Sequence, residues 1–280
     1  MRSLYMDNVK SISISCKENS KETDFIMNKI LNHKLLNERF EVKKDLENPD
    51  LVICLGGDGT FLEAYRRYKD KNPVFIGINS GSLGFLQDVP IDDTDNFLEL
   101  LSTKERIDIK YLPTIKIKVS CRDEELEFFA INEIYVTGKN LSSIEFSEYI
   151  SQEFLQKVRA SGIIISTPVG TTGMSDSFGG PIVVDGEILV STLIGPIRNK
   201  LNLSFFDTSI VSKNLKVVID KNFGNKVDLV IDGKRIEIEK ITNNEVTQVS
   251  CFYHKNSLKI LDLYYFSRVE NIRKKKLGIK

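Results

Sequence analysis

Histidine is nearly missing from this sequence: only His33 and His254 occur. They cannot make an H-x-x-x-H metal pair, and a Ser-His-Asp triad is disfavoured. Net charge is missing too. Lysine plus arginine numbers 39 and aspartate plus glutamate 39, which removes the basic field that recruits nucleic acid. The one dense basic run, residues 273–276, reads as the solvated last turns of a helix, where cations suit the dipole. Cysteine is scarce. Cys16, Cys54, Cys121 and Cys251 form no C-x-x-C pair and lie in or beside apolar strand-like runs. Buried free thiols are therefore expected, rather than disulfides or zinc ligands. No apolar stretch reaches membrane-spanning length, and the opening MRSLYMDNVK holds no signal-peptide core. A cytoplasmic protein with no membrane and no nucleic-acid partner is the expectation. Neither a strict G-x-G-x-x-G nor a G-x-x-x-x-G-K-[ST] is present, so the usual dinucleotide fingerprint and the P-loop are both excluded.

What is there is a globular chain of 280 residues, long enough for two moderate domains. The first third alternates strand-like and helix-like runs. Residues 9–16 read as a strand, and 21–36 as a helix with Phe25, Ile26, Ile30 and Leu31 on one face. Residues 51–55 and 74–78 are short continuous apolar runs, as in strands buried on both faces of a parallel sheet. Each opens into a glycine-rich turn, and 61–68 reads as a helix after the first. Ligands of such open sheets bind beyond the carboxyl ends of the strands. Near residue 107 the period changes to two: Ile115, Ile117, Val119 and Cys121 alternate with polar residues. Similar runs at 127–136, 215–219, 227–231, 235–241 and 258–263, with an Asp232-Gly233 hairpin, predict an antiparallel domain. The expected fold is an α/β N-terminal domain with an open, mostly parallel sheet, plus a mainly antiparallel β C-terminal domain. Its boundaries are 1–106 with 264–280, and 107–263. A C-terminal helix over 264–277 packs back on the first domain.

Four segments carry chemistry. Gly56, Gly57, Asp58, Gly59 and Thr60 follow a buried strand. Bare glycine backbone approaches a ligand closely, and its N–H groups with a helix N-terminus hold phosphate. A carboxylate there repels phosphates unless it takes a proton from an attacking hydroxyl or helps hold a metal ion. A simple capping role for Asp58 is the equal alternative. The second segment, 79–85, includes Asn79 and Gly81 and lines the same crevice or is an ordinary loop. The third is Asn132-Glu133, a polar pair inside an apolar strand, suited to ribose hydroxyls or to a solvated strand end. The fourth, residues 161–181, runs from an apolar strand into a loop dense in glycine, serine and threonine.

In this order the four segments resemble the NAD kinase family. GGDGT alone is shared with diacylglycerol-type lipid kinases. The accompanying Asn-x-Gly-x-Leu-Gly-Phe turn, Asn-Glu pair, and Ser-Thr-Pro-x-Gly-Thr-Thr with Gly-Gly-Pro are not. The resemblance covers residues 9–278. It implies transfer of the ATP γ-phosphoryl group to the 2′-hydroxyl of the adenosine ribose of NAD. ATP, or polyphosphate in its place, and NAD are the substrates. It further implies a divalent metal such as Mg²⁺, with no protein ligand assignable, and a homo-oligomer, dimer or tetramer. Asp58 is the implied base. Binding residues implied are Gly56, Gly57, Gly59, Thr60, Phe61, Asn79 and Gly81 in the first half. In the second they are Asn132, Glu133, Arg159, Ser161, Thr171, Thr172, Met174, Ser175, Ser177 and Asp232. Ser161 stands where many relatives have aspartate, and Met174 where an aromatic is frequent. The rival expectations are a diacylglycerol-type lipid kinase and a non-catalytic NAD(P) sensor.

Overall fold

A computed structural model describes residues 2–16, 21–80, 84–122, 124–198, 204–212, 214–238, 245–263 and 268–277. The chain divides into two compact units, Met1–Leu112 with Asn256–Lys280, and Pro113–Lys255. The first holds β1 (Arg2–Tyr5), β2 (Ser11–Cys16), α1 (Lys21–Leu31), α2 (Lys34–Arg39), β3 (Glu41–Lys44), β4 (Leu51–Gly56), α3 (Asp58–Tyr68), β5 (Val74–Asn79), β6 (Val89–Pro90) and α4 (Thr94–Thr103). Strand β7 (Arg106–Cys121) runs on into the second unit. There follow β8 (Glu125–Ala130), β9 (Glu133–Gly138), β10 (Ile144–Ile150), β11 (Glu153–Ser166), α5 (Met174–Ser177), β12 (Leu189–Pro196), β13 (Thr208–Val211), β14 (Leu215–Ile219), β15 (Val227–Ile231) and β16 (Lys234–Ile236). Strand β17 (Val246–Leu261) leads back to the first unit, which ends with α6 (Arg268–Leu277).

The first unit is built on the parallel order β3-β2-β4-β5. Strand β6 pairs with the end of β5, and the end of β17 with its beginning. All six residues of β4 are buried, which is why its sequence is apolar without alternation. Leu51, Ile53 and Leu55 join Ile12, Ile14, Ile76 and Ile78 in one core. On α3, Phe61 and Tyr65 stack against Phe75, with centroids 5.6 and 6.0 Å away. Gly56 pairs with Asn79, so the two glycine-rich turns leave the sheet side by side at its carboxyl edge. The helix expected over 21–36 is two helices. Its break comes at His33, whose Nδ1 accepts the Leu36 N–H at 3.3 Å and caps α2.

The second unit is antiparallel throughout its described ladders. Strand β11 is the spine: β10 pairs with its first part, and β9 and β12 flank its second. Strand β15 adds to β9, β14 to β10, and β8 to β7. The predicted alternation holds, with Ile115, Ile117, Val119 and Cys121 all buried in one core. Asp232 and Gly233, at φ 46° and 75°, close a two-residue hairpin between β15 and β16. Of the strand expected over 235–241, β16 ends at Ile236, and residues 239–241 lie outside the described residues. The one expected over 258–263 is the far end of the longer β17. Cys54, Cys121 and Cys251 are buried free thiols, as expected, and Cys16 is a free thiol only partly buried. Among the described residues no helix is long and apolar enough to cross a membrane.

One polar cluster inside this core was not legible. Glu148 and Gln156 are each 1% exposed. Gln156 Nε2 donates to Glu148 Oε1 at 2.7 Å, and its Oε1 accepts the N–H groups of Phe205 and Phe206. Burial pushes the Glu148 carboxyl up to about 7, and hydrogen bonds from Gln156 and Ser191 offset only part of that. The folded state therefore holds a proton that the unfolded chain has released above the ordinary value of 4.5. Stability is full below that value, falls as pH rises towards 7, and is level beyond it. Glu148→Gln, of the same shape, should remove this slope and stabilise the protein at pH 8 by about 3 kcal/mol. Urea midpoints of both proteins at pH 5 and pH 8 check this. Parallel pH dependences would contradict it.

Candidate functional site

In the first unit the site grows from the end of β4. Gly56 has φ 153°, and a Cβ there would lie 2.3 Å from Thr60 Oγ1, so glycine is required by the turn itself. Gly57 and Gly59 differ: a Cβ at either would meet nothing within 4 Å. Among the described residues, packing does not demand glycine at these two positions. Their bare backbone leaves space for a ligand at the N-terminus of α3, where the helix dipole favours anions.

Asp58 is the first residue of α3 and is half-buried. Its Oδ2 accepts the N–H of Phe85 and its Oδ1 that of Leu86, both at 3.0 Å. Both oxygens are thus held by a turn that follows the neighbouring strand β5. A carboxylate held by two amides is fixed in direction, unlike one on a free rotamer. Thr60 and Phe61 are buried. Asn79 closes β5 beside Gly56. Gly81 lies outside the described residues.

In the second unit Asp232 is the hub. It is 6% exposed, and its Oδ2 accepts the Ile131 N–H at 2.8 Å. Its Oδ1 accepts the N–H groups of Asn132 at 2.8 Å and Glu133 at 3.2 Å. One carboxylate therefore satisfies three successive backbone donors where β9 begins. Glu133 is 7% exposed, and Tyr135 donates its phenol proton to Oε1 at 3.0 Å. Burial, reinforced by the Glu133 charge, pushes the Tyr135 phenol up, so it stays a donor. The half-buried Asn132 carboxamide makes no hydrogen bond among the described residues.

The serine- and threonine-rich loop is seated on the same strand end. Thr167 Oγ1 donates to Ile131 O at 2.7 Å, and Thr167 N–H to Asn132 O at 2.9 Å. A Cβ on Gly170 would come within 2.2 Å of Asn132 O, so only glycine permits this approach. Thr171 Oγ1 donates to Pro168 O and accepts the Val183 N–H. Ser175 Oγ shares a hydrogen bond with Thr192 Oγ1. Thr172 Oγ1 bonds Val169 O. These three hydroxyls build the loop from inside, whereas Met174 and Ser177 point outward. Ser166 pairs with Glu133 across the ladder. Ser161 and Arg159 lie earlier on β11, about 17 and 23 Å from that end at the rise of an extended strand. Arg159 instead faces Glu145, 3.6 Å away. The structure thus gathers Asn132, Glu133, Asp232 and the 167–177 loop, and leaves Arg159 and Ser161 apart. Sequence reasoning passed over Leu86, and it placed Phe85 and Thr167 inside its segments without giving either a role; Phe85 and Leu86 meet Asp58 through backbone N–H groups.

Residues 5–106 match the ATP-NAD kinase N-terminal domain, and residues 131–260 the ATP-NAD kinase C-terminal domain. An NAD kinase of Fusobacterium nucleatum subsp. nucleatum is 32% identical over 260 residues, covering 89% of this chain and 91% of that protein. One from Finegoldia magna is 30% identical over 232 residues, covering 80% and 84%. Among solved structures, yeast NADH kinase complexed with NADH superposes with a TM-score of 0.77 at 18% identity, over 96% of this chain and 88% of that one. An NAD kinase from Archaeoglobus fulgidus in complex with ATP gives 0.71 at 21%, over 94% and 98%. Both likenesses bear on the fold alone. The lipid-kinase and sensor expectations find no support in any of these.

The Asp232 hub is open to test by stability. Asp232→Ala leaves the N–H groups of residues 131–133 without their acceptor and should cost about 3 kcal/mol. Asp232→Asn, which keeps one acceptor oxygen, should cost less than half as much. Urea denaturation of both variants measures this, and equal losses would contradict the hub.

Proposed function

Because the chain belongs to the ATP-NAD kinase family, we propose that it works through Asp58 as the base that receives the proton of the acceptor hydroxyl. The chain is an enzyme that phosphorylates NAD to NADP. The acceptor is the 2′-hydroxyl of the adenosine ribose. Its oxygen forms a bond to the γ-phosphorus of ATP, the bond from that phosphorus to the β–γ bridging oxygen breaks, and ADP leaves. The hydroxyl proton passes to a carboxylate oxygen of Asp58. Phosphoryl transfer asks chiefly for alignment and electrostatic stabilisation, so one fixed carboxylate suffices.

The observation that carries this proposal is the restraint on Asp58 beside two glycines that no packing contact among the described residues requires. Glycine backbone at 57 and 59, with the α3 N-terminus, spreads the triphosphate charge. Mg²⁺ bound to the phosphates of ATP would supply the remaining charge neutralisation. Among the described residues no group of three or more His, Cys, Asp or Glu side chains could cage a metal. Mg²⁺ commonly binds through substrate phosphates with one or two carboxylates, so this donor set fits a metal brought by the nucleotide. Asn132 and Glu133 hold the dinucleotide, the former with its unengaged carboxamide and the latter by accepting ribose hydroxyls. Met174, 45% exposed, covers a ring face, and Ser177 adds a hydroxyl at the loop surface. Arg159 and Ser161 take no part in that cluster, and Asp232 acts on it through the backbone. The enzyme works in the cytoplasm as a homo-oligomer, dimer or tetramer.

Asp58→Asn should lower kcat by about a hundred- to ten-thousand-fold while NAD still binds. Coupled NADP-formation assays with ATP and with polyphosphate, and calorimetry with NAD, measure the two quantities. A variant that turns over at the parent rate would remove Asp58 from this role.

A further inference from the structure

The turn that grips Asp58 is itself gripped by a side chain. Gln87 follows Phe85 and Leu86 directly and is only 2% exposed. Its Nε2 donates to the Gly57 carbonyl at 2.8 Å. That carbonyl is the first acceptor of α3, taking the N–H groups of Thr60 at 2.9 Å and Phe61 at 3.3 Å. Gln87 Oε1 is buried with no hydrogen-bond partner among the described residues. It lies over Gly77, where a Cβ would be 2.0 Å from it. A Cβ at Gly84 would be 2.7 Å from Gln87 Cγ and 3.0 Å from Asp58 Oδ1. Two glycines therefore make room for this one side chain. A buried carboxamide that leaves its oxygen unmatched is costly, and what it secures is the contact with Gly57. Beyond it, Asp88 is buried and ion-paired with Lys110, which anchors the far end of the turn.

We propose that Gln87 is a positioning residue for Asp58. Its side chain ties the 84–87 turn to the carbonyl of Gly57, and the same turn's amides at 85 and 86 hold the Asp58 carboxylate. The two contacts flank the Gly57–Asp58 peptide, so the carboxylate and the turn move as one piece. Without the Nε2 contact the turn loses this side-chain link to Gly57, and the two amides no longer keep a fixed distance from the carboxylate. This inference rests on the assignment of Asp58 as the base.

The test is a cycle of four proteins: parent, Gln87→Met, Asp58→Asn and the double variant. Methionine keeps the length of glutamine without its N–H donor. Gln87→Met should lower kcat about tenfold or more, since misplacement of a reacting group by a fraction of an ångström is felt strongly. The KM for NAD should stay within about twofold. In the Asp58→Asn background the same substitution should change the rate less than about twofold, because nothing remains to be positioned. Parent kcat in Gln87→Met overturns the inference. So does an equal fold-loss in both backgrounds, which marks a merely structural residue. Asp58→Asn at the parent rate instead overturns the base assignment, and is read independently of Gln87. If Gln87→Met fails to melt cooperatively, Gln87→Asn, which retracts the same amide by one methylene, goes through the same cycle under the same criteria.

Discussion

Both oxygens of Asp58 are satisfied by N–H groups of the turn after the neighbouring strand, and the proposed chemistry depends on that restraint. A carboxylate next to a triphosphate has a strong electrostatic reason to turn away. Two charge-assisted hydrogen bonds, each worth more than a neutral one, oppose that rotation. The sheet makes them available. Strands β4 and β5 are parallel neighbours whose last residues pair, so the glycine turn of one and the 84–87 turn after the other are close by construction. The apolar runs that bury both strands thus set the geometry of a polar site to which they contribute no side chain.

The second unit uses the same interaction in reverse. At Asp58 the backbone holds a carboxylate; at Asp232 a carboxylate holds the backbone. Three donors at the head of β9 converge on one buried side chain. This fixes the backbone on either side of the Asn132 carboxamide, and Glu133 lies beside Tyr135. Thr167 completes the arrangement from the other side through the Ile131 and Asn132 carbonyls. The polar pair therefore owes its position to backbone groups satisfied from two directions, which is how a strand carries two hydrophilic residues without losing its ladder.

Much of this was written in local pattern. The uninterrupted apolar runs ending at Gly56 and Asn79 announce buried parallel strands, and the alternation from Ile115 to Cys121 announces an antiparallel one. GGDGT, with the Asn-Glu pair and the threonine-rich loop, points to the site. What escaped has a common cause. The Asp232 contacts span about a hundred residues of chain, and the amides of Phe85 and Leu86 belong to residues whose side chains say nothing about them. Gln87 in a loop has no periodicity to break. Thr171 and Ser175 looked like ligand contacts because hydroxyl-rich loops often are. Their burial comes from a loop folded on its own hydroxyls, which composition cannot express. Arg159 and Ser161 entered through family resemblance, and the register of β9 against β11 is what separates them from the polar pair.

For the proposed chemistry one carboxylate must stand beside one hydroxyl. A crystal structure of the NAD-bound enzyme reads this placement as a single distance, from the nearer Asp58 carboxylate oxygen to the 2′-oxygen of the adenosine ribose. The expected value is about 2.6–3.2 Å, hydrogen-bond reach for a general base, with Phe85 and Leu86 still donating to the carboxylate. An Asp58 side chain turned away from the ribose, beyond the reach even of one bridging water, would contradict it.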